Sequence, residues 1–289
     1  MSDGVDLEEL RTHIGRSMTS TDVATAVPAN LHTLTFERDE PEFKDGDPLP
    51  PGWHWLYFLP QFGSDQLRKD GTPTDTGVIP AAPLPRRMYA GETLRFHAPI
   101  RIGEPLRRDM ELTDISAKSG ASGALIFTTV TNRIYSAEQL AVEYEARSVF
   151  LEEIKPGEKN TPPRREPAPK DATWRRTITP NPVNLFRYSA LTFNSHLIHY
   201  DRVYATGTEG YPGLVVHGPF TSTLLIDFAR DNHPGRRMAS YEMRAKAPLF
   251  DIAPFEIAGK PSANGTGCDL WAATPDGTVA MSAHAEFDD

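Results

Sequence analysis

Alternating apolar and polar positions predict four strands, in two pairs that close the first and second halves of the chain. The segments are 123–136, 141–152, 266–275 and 279–287, where β-branched and aromatic residues alternate with polar ones. Ser-Ala-Glu and Asp-Gly separate the members of the pairs. Short turns of this kind join antiparallel strands. The pattern therefore predicts antiparallel hairpins in both halves.

Helical spacing predicts two helices in the second half. Asn181 suits an N-cap and Pro182 the first turn of one helix. Its apolar stripe, expected to face the core, is Val183, Phe186, Ala190 and Phe193. The other helix follows His217-Gly218-Pro219, and its expected buried side is Phe220, Leu224, Leu225 and Phe228. We expect each half to be a long helix embraced by a curved sheet.

A polar segment divides the chain nearly in half. Residues 153–173 are rich in Pro, Lys, Glu and Arg and almost free of large apolar side chains, which predicts a linker. The halves share an Ala-Pro-aliphatic motif, at 98–100 and 247–249, followed by the strand pairs. We therefore predict a first unit at 1–152 and a second unit at 174–289.

Composition narrows the class of protein. The 289 residues carry a formal net charge of −9, which argues against a nucleic-acid partner. No run approaches eighteen apolar residues, and the acidic N-terminus resembles neither a secretory signal nor a transit peptide. Cys268 is the single cysteine, which excludes an internal disulfide and a cysteine metal cluster. We expect a cytoplasmic protein.

The candidate chemistry lies in TFNSHLIHYD, residues 192–201, and in the His217-Gly218 pair. A histidine after a helical run supplies an acid/base group, and a glycine that opens a helix supplies a backbone N–H for an anion. No spacing of histidines, cysteines and carboxylates suggests a metal, and no glycine array suggests a dinucleotide. We expect neither a metal nor another cofactor.

These residues resemble a known family. FRYSALTFNSHLIHYDRVYA (186–205) and GYPGLVVHGPFTSTLL (210–225) look like the MaoC-like hydratase/dehydratases, as do 54–60 and 83–106. The more specific likeness is to the subgroup of mesaconyl-C4-CoA (3-methylfumaryl-CoA) hydratases, itaconyl-CoA hydratases and 3-hydroxyacyl-thioester dehydratases. The resemblance implies an α+β, double hot-dog fold with a non-catalytic first unit and a catalytic second unit.

The resemblance also implies a reaction, the addition of water to an α,β-unsaturated acyl-CoA thioester or its reverse. Our first expectation is the hydration of mesaconyl-C4-CoA to citramalyl-CoA. The alternatives within the same chemistry are an itaconyl-CoA hydratase and a 3-hydroxyacyl-thioester dehydratase of fatty acid synthesis. An alternative of another class is a non-catalytic acyl-thioester binding protein, which the asparagine in the site motivates. The acyl-CoA is the expected partner, and a homodimer is a further expectation.

Three residues would carry the reaction by resemblance. The family motif places an aspartate five residues before the catalytic histidine, and here that position is Asn194, before His199. A carboxamide can orient water but cannot take its proton, so His199 would carry the proton transfer. Gly218 matches the family glycine whose backbone N–H meets the charge on the thioester oxygen.

Further residues are expected around the substrate. The candidates are His196, Arg187, Tyr188, His217, Arg86 and Arg87. The arginines are candidates for the free carboxylate of a dicarboxylic acyl-CoA, because arginine grips a carboxylate with two parallel hydrogen bonds. The structural alternatives are that His196 lines the pocket wall or packs, that His217 fixes the turn before Gly218, and that Arg187 and Tyr188 pack or face solvent.

Overall fold

The computed structural model describes residues 6–80, 84–120, 123–152, 165–263 and 265–288. Its helices are α1 (Leu7–Arg11), α2 (Ala26–Thr35), α3 (Pro182–Leu191) and α4 (Gly218–Asp231). Its strands are β1 (Ser17–Val23), β2 (Arg86–Phe96), β3 (Pro105–Gly120), β4 (Gly123–Ser136), β5 (Gln139–Leu151), β6 (Trp174–Ile178), β7 (Arg237–Ala245), β8 (Phe255–Pro261), β9 (Gly267–Ala273) and β10 (Val279–Asp288). The predicted hairpins therefore form as β4–β5 and β9–β10.

The described strands form one antiparallel sheet in the order β1-β3-β4-β5-β2-β7-β10-β9-β8-β6. The order is symmetric about the middle of the sheet, where β2 pairs with β7. Outward from this pair, β5-β4-β3-β1 of the first unit correspond to β10-β9-β8-β6 of the second. No helix in the described part of the chain is long and apolar enough to cross a membrane.

The internal repeat is confirmed at the level of single hydrogen bonds. The Ala98 N–H donates to the carbonyl of Ala141 at 3.3 Å, and the Ala247 N–H donates to the carbonyl of Ala280 at 3.0 Å. In each half the Ala-Pro-aliphatic segment thus follows the end of its strand and bonds to the equivalent neighbouring strand, β5 or β10. The two units are built on one plan.

The units differ in their helices. α4 is buried along ten consecutive residues, from Phe220 to Ala229, and the sheet of the second unit wraps it. The equivalent place in the first unit holds a short 3₁₀ helix, Trp53–Leu56. The two places correspond because the same hydrogen bond precedes each helix. The Leu49 N–H donates to the Ile100 carbonyl in the first unit, and the Val216 N–H donates to the Leu249 carbonyl in the second. The expected long, wrapped helix is therefore found in the second unit only, within the described residues.

α3 starts as the sequence predicts but buries another face. The Asn181 side chain accepts the N–H groups of Val183 and Asn184, and Pro182 occupies the first turn. The stripe expected to be core is instead exposed, to 61% at both Val183 and Phe186 and 60% at Phe193. The prediction was wrong because α3 packs through the other face, where the buried residues are Leu185, Tyr188 and Ser189.

A buried ion cluster joins α4 to the first unit. The Asp227 carboxylate accepts from the Trp53 indole at 3.1 Å and from Arg230 at 2.8 Å, and it lies 3.5 Å from Arg38. Asp227 is almost fully buried, so its charge requires these partners. The cluster ties the C-terminal part of α4 to Trp53 and Arg38 of the first unit.

The predicted linker lies partly outside the described residues, at 153–164. The remainder, 165–173, packs against the second unit: Ala168 and Ala172 contact the small apolar cluster around Trp271. The Ala168 N–H also donates to the Gly277 carbonyl at 2.8 Å. The boundaries of the two units stay a prediction.

Candidate active site

The turn that carries the central histidine begins where α3 ends. Phe193 adopts a left-handed conformation, with φ of 48°, and the N–H of Asn194 donates to the Ser189 carbonyl at 2.8 Å. The Asn194 Oδ1 then accepts the N–H of His196 at 3.1 Å, ahead of the short 3₁₀ helix Leu197–His199. Asn194 thus shapes the turn, while the left-handed residue that ends the helix is Phe193.

A loop of the first unit holds this turn in place. The Leu197 N–H donates to the Asp70 carbonyl at 2.9 Å, and the Ser195 hydroxyl donates to the Gly71 carbonyl at 2.6 Å. Gly71 has a φ of +83°, and a Cβ there would collide with the Ser195 carbonyl oxygen. The sequence marks Asp70-Gly71 as a turn. It gives no sign of the contact with a segment more than a hundred residues away.

The His199 imidazole has one nitrogen fixed and one left as a base. Its Nδ1 lies 2.7 Å from the Val215 carbonyl oxygen. A carbonyl only accepts, so Nδ1 carries the proton and Nε2 carries the lone pair. His199 is buried, and burial together with the neighbouring His196 lowers its pKa to about 3. The side chain is therefore a neutral base at physiological pH.

His217 lies directly against His199. The two rings stack with centroids 3.7 Å apart and planes 18° apart. His217 is fully buried, its Nε2 is 2.8 Å from the Ser189 hydroxyl, and its ring packs edge-to-face with that of Tyr188, with the centroids 5.0 Å apart. Burial lowers the pKa of His217 well below its usual value. His217 thus shields one face of the His199 ring from solvent.

Gly218 opens α4 next to this histidine pair. As the first helical residue its N–H has no intrahelical acceptor, and Pro219 after it has no N–H at all. A Cβ at position 218 would lie 2.8 Å from Cδ1 of Tyr89, on the first unit's strand β2. The glycine therefore lets the first unit close against the helix end. The Gly218 N–H and the positive end of the helix dipole are therefore available to an anion.

The other predicted substrate contacts fall into two groups. His196 lies beside the centre, with its ring centroid 5.5 Å from that of His199, and Tyr188 is buried against His217. Arg187 is exposed on α3, so the structure does not bring it to the buried histidines. This is the solvent-facing alternative left open by the sequence.

Arg86 and Arg87 approach from β2. The Arg86 guanidinium lies 3.2 Å from the Tyr211 hydroxyl and 3.4 Å from the Glu209 carboxylate. Arg87 donates from Nε and Nη2 to the Ser148 hydroxyl, at 3.2 and 3.1 Å. The charges of both arginines, with that of Arg68, act on His196. Sequence reasoning missed Arg68, since it lies in the loop before Asp70-Gly71, outside the segments of family resemblance.

The described residues do not suggest a metal site. No group of three or more His, Cys, Asp and Glu side chains in the described part of the chain is placed to hold a metal ion. What the site contains is a neutral imidazole base, a backbone donor at a helix N-terminus and cationic side chains nearby. These groups can move a proton and stabilise an oxyanion.

The lowered pKa of His199 predicts an unusual pH dependence. With an ordinary pKa near 6.5, about 97% of the base would be protonated at pH 5, and the rate would fall roughly 30-fold from its value at high pH. With a pKa of about 3 the base stays neutral, so we expect kcat/KM to stay level from pH 7 to pH 5. A pH profile of kcat/KM checks this, and a fall with a midpoint near 6.5 would contradict it.

The free energy of unfolding, unlike kcat/KM, should change with pH in this range. The pKa values of His199, His32 and His54 are each lowered to about 3 by burial in the folded chain. In the unfolded chain they bind protons below about pH 6.5. Unfolding therefore takes up protons, and these residues make the free energy of unfolding fall as the pH drops below that value. Urea titrations at pH 7 and 5.5 measure the difference.

The geometry defines a class of protein: an acid–base enzyme in which two antiparallel units form one sheet, with a buried histidine at the N-terminus of a wrapped helix. Residues 52–251 match the hydroxyacyl-thioester dehydratase type 2 family. The match covers more than half of the chain, and the chain belongs to this family. It is a hydro-lyase, which removes the non-catalytic binding protein as an alternative.

A curated relative and two solved structures are similar to the chain. Mesaconyl-C(4)-CoA hydratase of Chloroflexus aurantiacus is 50% identical over 240 residues, 83% of this chain and 84% of the relative. A MaoC-like dehydratase structure from Phytophthora capsici aligns with a TM-score of 0.71 at 13% identity, over 99% of both chains. A Mycobacterium tuberculosis protein described as a double hotdog fold aligns with a TM-score of 0.59 at 13% identity, over 98% of both chains. The predicted α+β double hot-dog fold is confirmed.

Proposed function

We propose that this enzyme adds water to mesaconyl-C4-CoA and forms citramalyl-CoA. The 50% identity to a mesaconyl-C(4)-CoA hydratase over most of both chains supports the substrate. The site supports the reaction, and one observation carries it. The hydrogen bond from His199 Nδ1 to the Val215 carbonyl leaves Nε2 as a neutral base, close to the N-terminus of α4.

His199 is the proposed proton carrier. Its Nε2 takes a proton from water, and the hydroxide adds to the carbon β to the thioester carbonyl. The protonated imidazole then returns a proton to the α carbon, so the histidine ends as it began. In dehydration the same steps run backwards, so His199 first takes a proton from the α carbon and then gives it to the leaving hydroxyl.

Gly218 is the proposed donor to the thioester oxygen. Addition at the β carbon moves charge through the double bond to that oxygen. The Gly218 N–H and the dipole of α4 meet the charge without having to reorient, because the helix is fixed by its packing and by the ion cluster at Asp227. Water-excluding walls strengthen the interaction, since His217 and Phe220 are buried on either side of the glycine.

Asn194 is proposed to assist through the turn and through its amide. Its Oδ1 holds the N–H of His196 and so helps to place the 3₁₀ helix that carries His199. The Nδ2 group can donate to a water but cannot accept its proton. We therefore assign proton transfer to His199 alone and the orientation of the water to Asn194.

A side-by-side assay tests the substrate. Purified protein should hydrate mesaconyl-C4-CoA with a higher kcat/KM than it shows for itaconyl-CoA or crotonyl-CoA, measured by loss of the enoyl-thioester absorbance and by the product's mass. A heat-denatured sample is the control for uncatalysed hydration. Turnover of crotonyl-CoA with none of mesaconyl-C4-CoA would overturn the dicarboxylic substrate.

The family match favours a second candidate, dehydration of a 3-hydroxyacyl thioester. The same histidine and glycine serve this reverse reaction, so the site chemistry is shared. A 3-hydroxybutyryl thioester belongs in the same assay for this reason. A larger kcat/KM for its dehydration than for mesaconyl-C4-CoA hydration would favour the second candidate.

A further inference from the structure

Three arginines lie near His196, and one of them has no anionic partner. Arg68 lies 3.6 Å from the Asp70 carboxylate, and Arg86 lies 3.4 Å from that of Glu209. Arg87 makes hydrogen bonds to a neutral hydroxyl, that of Ser148. Within the described part of the chain, no carboxylate lies within 4.0 Å of the Arg87 guanidinium. Its charge is the one left uncompensated in this group.

The surroundings of Arg87 disfavour its positive charge. Its guanidinium lies over the ring of the buried Phe150, 5.9 Å from the centroid. Burial lowers the pKa of Arg87, although a guanidinium remains protonated in proteins. A partly desolvated cation without a counter-ion is unfavourable in the free protein, and an anion that binds beside it removes the penalty.

The position of Arg87 on β2 relates it to the site. Arg87 and Tyr89 are two residues apart, so their side chains lie on the same face of the strand. The Tyr89 ring contacts Gly218, and Ser148 is the residue paired with Tyr89 across the sheet. Because Arg87 bonds to Ser148, its guanidinium leans along β2 toward Tyr89 and the N-terminus of α4.

The spacing of residues along β2 and the free Nη1 donor of Arg87 suit a four-carbon dicarboxylic acyl group. Two residues of a strand advance by about 6.8 Å, comparable to the length of a four-carbon acyl chain from its thioester oxygen to its far carboxylate. The Arg87 Nη1 makes no hydrogen bond within the described residues. Arg87 also lines a small cavity of about 10 Å³, room for about one water. The other lining residues are Arg68, Thr72, Pro73, Thr74, Thr76, Ile79, Pro80 and Phe150.

We propose that Arg87 binds the free carboxylate of the acyl group and selects dicarboxylic acyl thioesters. This inference rests on the proposed function, because a 3-methylfumaryl group carries its carboxylate on the carbon that water attacks. An unpaired carboxylate there would repel the incoming hydroxide. A guanidinium that accepts the carboxylate in a two-pronged contact neutralises this repulsion and fixes the β carbon in front of His199.

Binding of two saturated thioesters tests the inference without turnover. Succinyl-CoA and butyryl-CoA have four-carbon chains that differ at the end, carboxylate against methyl, and neither has a double bond to hydrate. In R87Q we expect the Kd of succinyl-CoA to rise about 100-fold and that of butyryl-CoA to stay unchanged. R95Q is the matched control, since Arg95 lies on the same strand with a side chain 62% exposed, and it should alter neither Kd.

The outcomes separate this inference from the proposed function. An equal Kd of succinyl-CoA in wild type and R87Q overturns the role of Arg87, even if the wild type hydrates mesaconyl-C4-CoA. Selective loss of succinyl-CoA binding in R87Q supports it, even if that hydration fails. Should R87Q not fold, R87K keeps the charge without the planar fork. We expect R87K to weaken succinyl-CoA about tenfold and to spare butyryl-CoA, and a variant that binds both as the wild type does would contradict the proposal.

Discussion

Replacing His199 with alanine should lower kcat for hydration by roughly 10²- to 10⁴-fold, the usual contribution of a positioned acid–base group. Two of its neighbours are poor substitutes. His217 is fully buried against Ser189, and the Asn194 amide cannot accept a proton. KM should change less than kcat, because His199 acts in the proton-transfer steps and is not proposed to hold the bound thioester. Initial rates at saturating mesaconyl-C4-CoA measure the effect.

H97A is the matched control for this variant. His97 is exposed just after β2, and its backbone N–H, which the substitution keeps, donates to the Ala141 carbonyl. We expect wild-type kcat in H97A and an unfolding midpoint in H199A that still reports a cooperative fold. A folded H199A enzyme with wild-type kcat would show that another group transfers the proton.

Replacing Gly218 with alanine should lower kcat by roughly 10²- to 10³-fold, the effect of losing one donor to a developing oxyanion. The new methyl group would lie 2.8 Å from Tyr89 Cδ1 and 3.4 Å from its Cβ, inside van der Waals contact with a ring that the sheet holds. Either the ring or the helix end must move. Movement of the helix end takes the N–H away from the thioester oxygen, and movement of the ring opens the wall of the site.

The control for G218A is G207A, in the short π-helix Tyr204–Thr208. A Cβ at position 207 meets no atom within 4 Å, and Gly207 does not adopt a positive φ. This variant therefore tests glycine-to-alanine substitution without the steric conflict. We expect kcat of G207A to match the wild type, and an undiminished kcat in folded G218A would rule out the proposed oxyanion contact.

Much of the second unit could be predicted from its sequence because its signals are local. The Asn-Pro cap of α3, the apolar run of α4 and the alternation in β9 and β10 each depend on residues a few positions apart. His199 and Gly218 were found through family resemblance, and the structure places His199 beside the stacked His217 at the start of α4. Their roles stay proposals that H199A and G218A address.

Exposure was harder to predict than secondary structure. The spacing of Val183, Phe186 and Phe193 is helical, yet these side chains are on the surface and the helix is buried through Leu185 and Tyr188. Periodicity identifies a face but not the element that covers it. In the first unit the element itself differs from the expected one, because a 3₁₀ helix at Trp53–Leu56 occupies the place expected for a long helix.

The sequence by itself determined the hairpins, the start of α3, four of the buried residues of α4 and the candidate pair His199 and Gly218, since each depends on nearby residues or on a motif. Only the tertiary structure decided that Asp70-Gly71 clamps the histidine turn and that Arg187 faces solvent. It also decided that Arg87 stands without a carboxylate among the described residues. Burial, close approach and charge compensation depend on atoms distant in the chain, and folding alone brings them together.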